Sequence, residues 1–198
     1  MSEMEKQKTF YKRRKYNLKE LRELTIKLKN KKISGIKLFS AIDDIGEEQY
    51  KEAKDAIALY LNDAEPDIRR ISILVLGLWG LKEYYPQAKD MFLYDPDDVV
   101  KMHAASAIGK MFESTQNKEV IRVLLPSLFE DKHDRGFKSI VYDAILHILG
   151  IPTRQHPLVY SENYLQKKVD WNFVKQLQEG VLKKQRYKID ADFKIVPA

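Results

Sequence analysis

The sequence has no cysteine, only 8 glycines and 7 prolines among 198 residues, and no long apolar run. Each absence excludes something. Without thiols there is no disulfide framework, no thiolate zinc site and no cysteine nucleophile, and a reducing, cytoplasmic setting is the expectation. The longest nearly uninterrupted apolar stretch, Ile71 to Leu81, covers 11 residues. A bilayer span needs roughly 20, so this stretch reads as core. The first residues, MSEMEKQKTFYKRRKYN, are charged and hold no apolar segment of signal-peptide length, so neither secretion nor a membrane anchor is expected. A glycine-rich phosphate loop and Gly-x-Ser-x-Gly are also missing. What remains is a chain with 44% hydrophobic residues, long enough to bury a core of its own and most simply one domain.

Charge is unevenly placed. Residues 1–37 carry 13 Lys+Arg against 4 acids, residues 38–160 carry 14 against 20, and residues 161–198 carry 8 against 5. The overall charge of +6 therefore conceals a basic head on an acidic body. Two explanations fit: a solvated tail that attracts an anionic partner, or a terminal helix that packs on the acidic body.

Helical periodicity dominates the chain. Leu18, Leu21, Ile26 and Leu28 predict a basic amphipathic helix over about 17–30, and Ile36, Phe39, Ala41 and Ile42 a short one before a turn at Ile45-Gly46. Tyr50, Ala53, Ile57 and Leu61 fall on one helical face, with Glu48, Lys51, Glu52 and Asp55 opposite. The acids Asp43, Asp44, Glu47 and Glu48 bracket a turn and are read as helix caps in preference to a metal site. Toward the C-terminus, Tyr164, Leu165 and Val169, then Trp171, Val174, Leu177, Val181 and Leu182, continue the helical pattern. From Tyr187 to Ile195 the apolar period becomes two, and an extended segment along the last helices is expected there.

An internal repeat carries the architecture. Setting Gly77 on Gly109 aligns Asp63 with Asp95, Ile68 with Val100, Arg69 with Lys101, Ser72 with Ala104, Val75 with Ala107 and Leu76 with Ile108. A third copy follows, in which Phe137, Lys138, Val141, Tyr142, Ala144 and Ile145 echo Val100, Lys101, Ala104, Ala105, Ala107 and Ile108. Its extra residues belong in a loop, where added length destabilises little. In Asp95-Pro96-Asp97-Asp98 a cap acceptor, a first-turn proline and two carboxylates announce a helix start. Small residues such as Ala104 and Ala107 let neighbouring helices approach. Shorter apolar helices, Gln87 to Leu93 and Glu119 to Phe129, make antiparallel pairs with the repeat helices, and stacked pairs form a solenoid.

The stretches DAEPDIRRISILVLG, DPDDVVKMHAASAIG and, more loosely, EDKHDRGFKSIVYDAIL resemble HEAT repeats, in particular the short HEAT-like repeat of phycobilin-lyase-type and small bacterial proteins. The resemblance covers about residues 47–150. It implies an all-α, right-handed superhelix of about eight to ten helices; with the charge and periodicity of the flanks, the chain divides into a basic flexible segment at 1–16, the solenoid and its capping helices at 17–184 and an extended tail at 185–198. It also implies that the second helix of each pair lines a concave binding surface. The expected function is non-enzymatic protein recognition, as scaffold, adaptor or inhibitor, with no cofactor and no membrane. On that surface the candidates are Arg69, Arg70, Lys101, His103, Lys138 and Tyr142. The alternative is nucleic-acid binding, as in HEAT-like DNA alkylation repair glycosylases, whose catalytic residues have no counterpart here.

Few side chains suggest chemistry. His133-Asp134 resembles the paired ligands of HD phosphohydrolases, with His103 and Asp143 as companions to weigh, but it stands where the repeat needs a helix cap. No histidine is followed by Glu, as HEAT-like metal hydroxylases require. His147, among Ile145, Leu146 and Ile148, reads as a structural residue. Trp79 reads as core and Tyr84-Tyr85 as exposed beside Pro86. Lys12, Arg13, Arg14 and Lys15, flanked by Phe10, Tyr11 and Tyr16, form the one place where basic and aromatic residues interleave as nucleic-acid contacts do. A solvated tail has the same composition.

Overall fold

Helix α1 (Leu18–Lys29) starts where Asn17 accepts a hydrogen bond from the Glu20 amide while the Glu20 carboxylate accepts one from the Asn17 amide. The computed structural model describes residues 15–157 and 168–198; Lys12, Arg13, Arg14, Tyr164 and Leu165 fall outside them. The chain continues through α2 (Gly35–Glu47), α3 (Lys54–Ala58), α4 (Pro66–Leu78), α5 (Tyr85–Tyr94), α6 (Asp98–Met111), α7 (Lys118–Leu124), α8 (Pro126–Phe129), α9 (Arg135–Leu149) and α10 (Trp171–Gln178). It ends in β1 (Tyr187–Ile189) and β2 (Ile195–Pro197). The fold is all-α, with helices packed on helices.

The three repeat copies are α4, α6 and α9, and they lie side by side in chain order, with α2 before them. Their spacing is set by glycine. A Cβ on Gly77 would stand 2.4 Å from Ala107 Cα, and one on Gly109 would stand 2.7 Å from Ala144 Cα. Neither distance is sterically tolerable, so a side chain at either position would push the layers apart. Ala107 and Ala144 occupy the same place in successive copies, which establishes the repeat register in space. Gly46 does the same against the Val75 methyls, at 2.6 Å. Thus α2 is an earlier copy of the same helix, and Gly46 lies inside it where a turn was expected.

The predicted faces hold with local corrections. Ala53, Ile57 and Leu61 are buried, and Glu48, Lys51, Glu52 and Asp55 are exposed. On α1 the buried side is Leu21, Thr25 and Leu28, whereas Leu18 and Ile26 face water. Trp79 is core, its indole N–H donating to the Gly46 carbonyl. Tyr84 is buried too, and its hydroxyl meets Asp55 at 3.0 Å. Burial, aided by that carboxylate, raises the phenol to about 12. Tyr85 is half-buried, packed edge-on against Phe112.

Two expected caps move. Asp97, not Asp95, caps α6 by accepting from the Val99 and Val100 amides, so Pro96 precedes the cap rather than following it. The acids at the end of α2 hold the residue before the α1 cap: Asp44 accepts from the Tyr16 hydroxyl at 2.7 Å and Glu48 from the Tyr16 amide at 3.2 Å. At the other end the period-two segment finds its partner within itself, because β1 pairs antiparallel with β2. Asp170 fastens this hairpin. One carboxylate oxygen caps α10 at the Phe173 amide and the other accepts from the Ile195 amide.

Candidate partner-binding face

Aligning the three glycines puts four positions of each repeat helix into rows that cross the stack. One row is Ile36, Asp67, Val99 and Gly136, and the next is Phe39, Arg70, Met102 and Ser139. Then come Asp43, Leu74, Ser106 and Asp143, and finally Glu47, Leu78, Lys110 and His147. Contacts bear the rows out: the Arg70 guanidinium lies 5.2 Å from the Phe39 ring centroid, and Lys110 Nζ lies 3.4 Å from His147 Nδ1. Most of these positions are exposed or half-buried. Large apolar side chains are among them, with Ile36 77% and Leu78 53% accessible. At the start of α2 and α4 the face deepens into a groove of about 620 Å³, lined by Ile36, Phe39, Ile68, Glu65, Asp67 and Arg70, among others.

The expected contact residues divide. Arg69 is taken: Nε and Nη2 each bond one Asp95 oxygen at 2.8 Å, and Nη1 donates to the carbonyls of Asp63 and Ala64. Arg70 lines the groove, with Nε 2.7 Å from Asp67. Lys101 Nζ is 3.2 Å from Asp98. His103 is half-buried, with Nδ1 2.8 Å from the Val99 carbonyl one turn back. Lys138 is half-buried near the start of α9. Tyr142 is wholly buried, and its oxygen accepts from the Asp170 amide at 3.2 Å. Burial pushes that phenol far above its ordinary value. Its register partner Ala105 is core as well, so Tyr142 cannot belong to a contact surface.

The remaining sequence candidates separate in the same way. Asp134 caps α9 at the Phe137 amide, at 2.7 Å. His133 stacks on the Phe137 ring with centroids 3.9 Å apart, and burial lowers its proton affinity. Asp143 does not join that pair; it meets His147 and His156 instead. Lys15 is exposed. Sequence reasoning missed His156 altogether, although Asp143 and His147 stand four residues apart on one helix and His156 follows the Gly150 stop. It also missed α2 as a copy, although Ile45-Gly46 matches Leu76-Gly77 and Ile108-Gly109. Comparison with protein-family models, curated proteins and solved structures returns no match.

Proposed function

We propose that this chain is a non-enzymatic, HEAT-like right-handed solenoid that holds another protein on the face of α2, α4 and α6, acting as a scaffold, adaptor or inhibitor. The observation that carries the reading is solvent-exposed Ile36 and Val99 in one row beside an apolar groove rimmed by acids, with exposed Leu78 farther along the same face. Scattered surface hydrophobics need no explanation, whereas apolar side chains in register beside a groove suit an interface. Arg69, Arg70 and Lys101 each lie against a carboxylate, which disfavours a phosphate backbone on this face. Glu65 and Asp67 at the groove favour a partner that brings a cation beside an apolar anchor. The nucleic-acid alternative rests on Lys12, Arg13, Arg14 and Lys15 alone.

Affinity capture tests this with the full chain and an Ile36→Glu, Leu78→Glu variant, each with and without nuclease. Both positions are exposed, so the variant should keep its helical circular dichroism and a stability within about 0.5 kcal/mol per site of the parent. Partner recovery should fall at least ~10-fold, about 1.4 kcal/mol, and should not respond to nuclease. Recovery that survives the double substitution, or that vanishes with nuclease, would sink the reading.

A further inference from the structure

The geometry points to a divalent metal site of the zinc type at Asp143, His147 and His156, pinning the segment after α9 to that helix. Asp143 and His147 share one face of α9. Gly150, in the left-handed region at φ 78°, ends the helix, and the Ile151 amide turns back to the Leu146 carbonyl. The reversed chain lays the His156 ring against His147, with centroids 4.7 Å apart. One ligand atom from each of the three residues then falls within 4.8 Å of the others.

The neighbours of each ring nitrogen show how the two histidines are held. His156 Nε2 is 2.8 Å from the Ile151 carbonyl oxygen, which can only accept, so that nitrogen carries hydrogen. In a neutral ring Nδ1 is then a lone pair, yet it stands 2.7 Å from Asp143 Oδ1. His147 is held on both sides. Its Nδ1 faces Glu113 Oε1 at 3.2 Å and its Nε2 faces Asp143 Oδ2 at 3.5 Å. Burial, foremost among several influences, lowers the proton affinity of His147. Lys110 Nζ, 3.4 Å from the same Nδ1 and 3.6 Å from Glu113, balances the Glu113 charge.

Each ring thus turns one nitrogen to the Asp143 carboxylate, at 2.7 and 3.5 Å, and a cation held between them would join all three side chains. Outer nitrogens turned to a backbone carbonyl and a carboxylate are the support that orients histidines on a metal. Tetrahedral zinc with bonds of about 2.0–2.1 Å sets its ligand atoms roughly 3.3 Å apart; Asp143 Oδ1 lies 2.7 Å from His156 Nδ1 and Oδ2 lies 3.5 Å from His147 Nε2, so side-chain rotation has to bring one oxygen and both nitrogens to that spacing. Both rings are closed off, with 5% and 4% of the side chains accessible, while Asp143 at 25% leaves an entry and a fourth ligand position. Nitrogen and carboxylate donors without thiolate suit zinc and its neighbours. The competing cation is a proton on His156, giving a plain ion pair. The site needs no partner protein; its ligands stand on α9 and the segment after it, where the last two rows of the face end.

The test titrates the full chain, freed of metal by chelation, with Co²⁺ and then Zn²⁺. One equivalent of Co²⁺ should raise the visible bands of a four-coordinate ion, and Zn²⁺ should displace them. Asp143→Asn and His156→Ala should each lose the bands, and Glu113→Gln should weaken binding by about 10-fold to 100-fold. Asp143→Asn keeps side-chain shape at a half-exposed position, so it reads the site even where His156→Ala fails to fold by circular dichroism. Absence of bands at one equivalent, or bands that persist in Asp143→Asn, would overturn the assignment. So would nitrogen NMR showing both His156 ring nitrogens protonated and unmoved by Zn²⁺.

Discussion

Arg69 reaches from α4 to Asp95, the residue that closes α5, with only 12% and 5% of the two side chains accessible. Burial alone would raise the Asp95 carboxyl; hydrogen bonds from Arg69 and the Asp97 amide outweigh it, and the net direction is down. Removing one partner leaves the other charge shielded from water and unmatched. Asp95→Ala should therefore destabilise by about 3 kcal/mol in urea unfolding near neutral pH. The sign of the pH dependence follows from the lowered folded value. The pair's stabilisation is complete above the unfolded carboxyl value of about 3.8 and is lost as pH falls through the folded one, so parent and variant should converge in acid. A gap that stays constant from neutral pH to about pH 2 would show that the ion pair is not its source. Local sequence made Asp95 a cap because a short acceptor before Pro-Asp-Asp suits that role. The arginine that claims it stands on another element, 26 residues earlier.

Helix α4 meets α6 at Gly77, where the backbones touch. Alanine is the better helix former by about 1 kcal/mol, yet its methyl would stand 2.4 Å from Ala107 Cα, and main chain cannot rotate aside. Gly77→Ala should thus lose about 2 kcal/mol net through overpacking. Gly109→Ala, facing Ala144 Cα at 2.7 Å, should lose less, and Gly46→Ala least, because it meets only the Val75 side chain. Denaturant midpoints of the three variants give the order directly; equal or reversed losses would mean that these glycines do not set the helix spacing. The register was legible because small residues recur before each Leu-Gly or Ile-Gly. Recognition of α2 failed for a physical reason. Glycine serves both turns and close helix contacts, and nothing local distinguishes Gly46 in the second role.

The molecule is a row of helices in which α6 is flanked by α4 and α9 and backed by α5, whereas α1 packs mainly on α2 and α3. Stability in such an array is a sum of unit and nearest-neighbour terms, so it should grade along the row. Hydrogen exchange should be slowest at Ala104 and Ile108 in α6 and faster in α1 and in the β1–β2 hairpin. Uniform protection from α1 to the hairpin would instead mark one cooperative unit. The sequence by itself determined that the chain is helical, where the repeat helices lie and how their copies align. Those features depend on periodicity and on small residues close together in the chain. Only the tertiary structure decided which charged side chains remain available at the surface, that Tyr142 is core, and that His156 returns to Asp143 and His147. Such outcomes turn on neighbours brought together across helix reversals, and a side chain's burial, ion pairing and protonation follow from those neighbours rather than from its place in the local pattern.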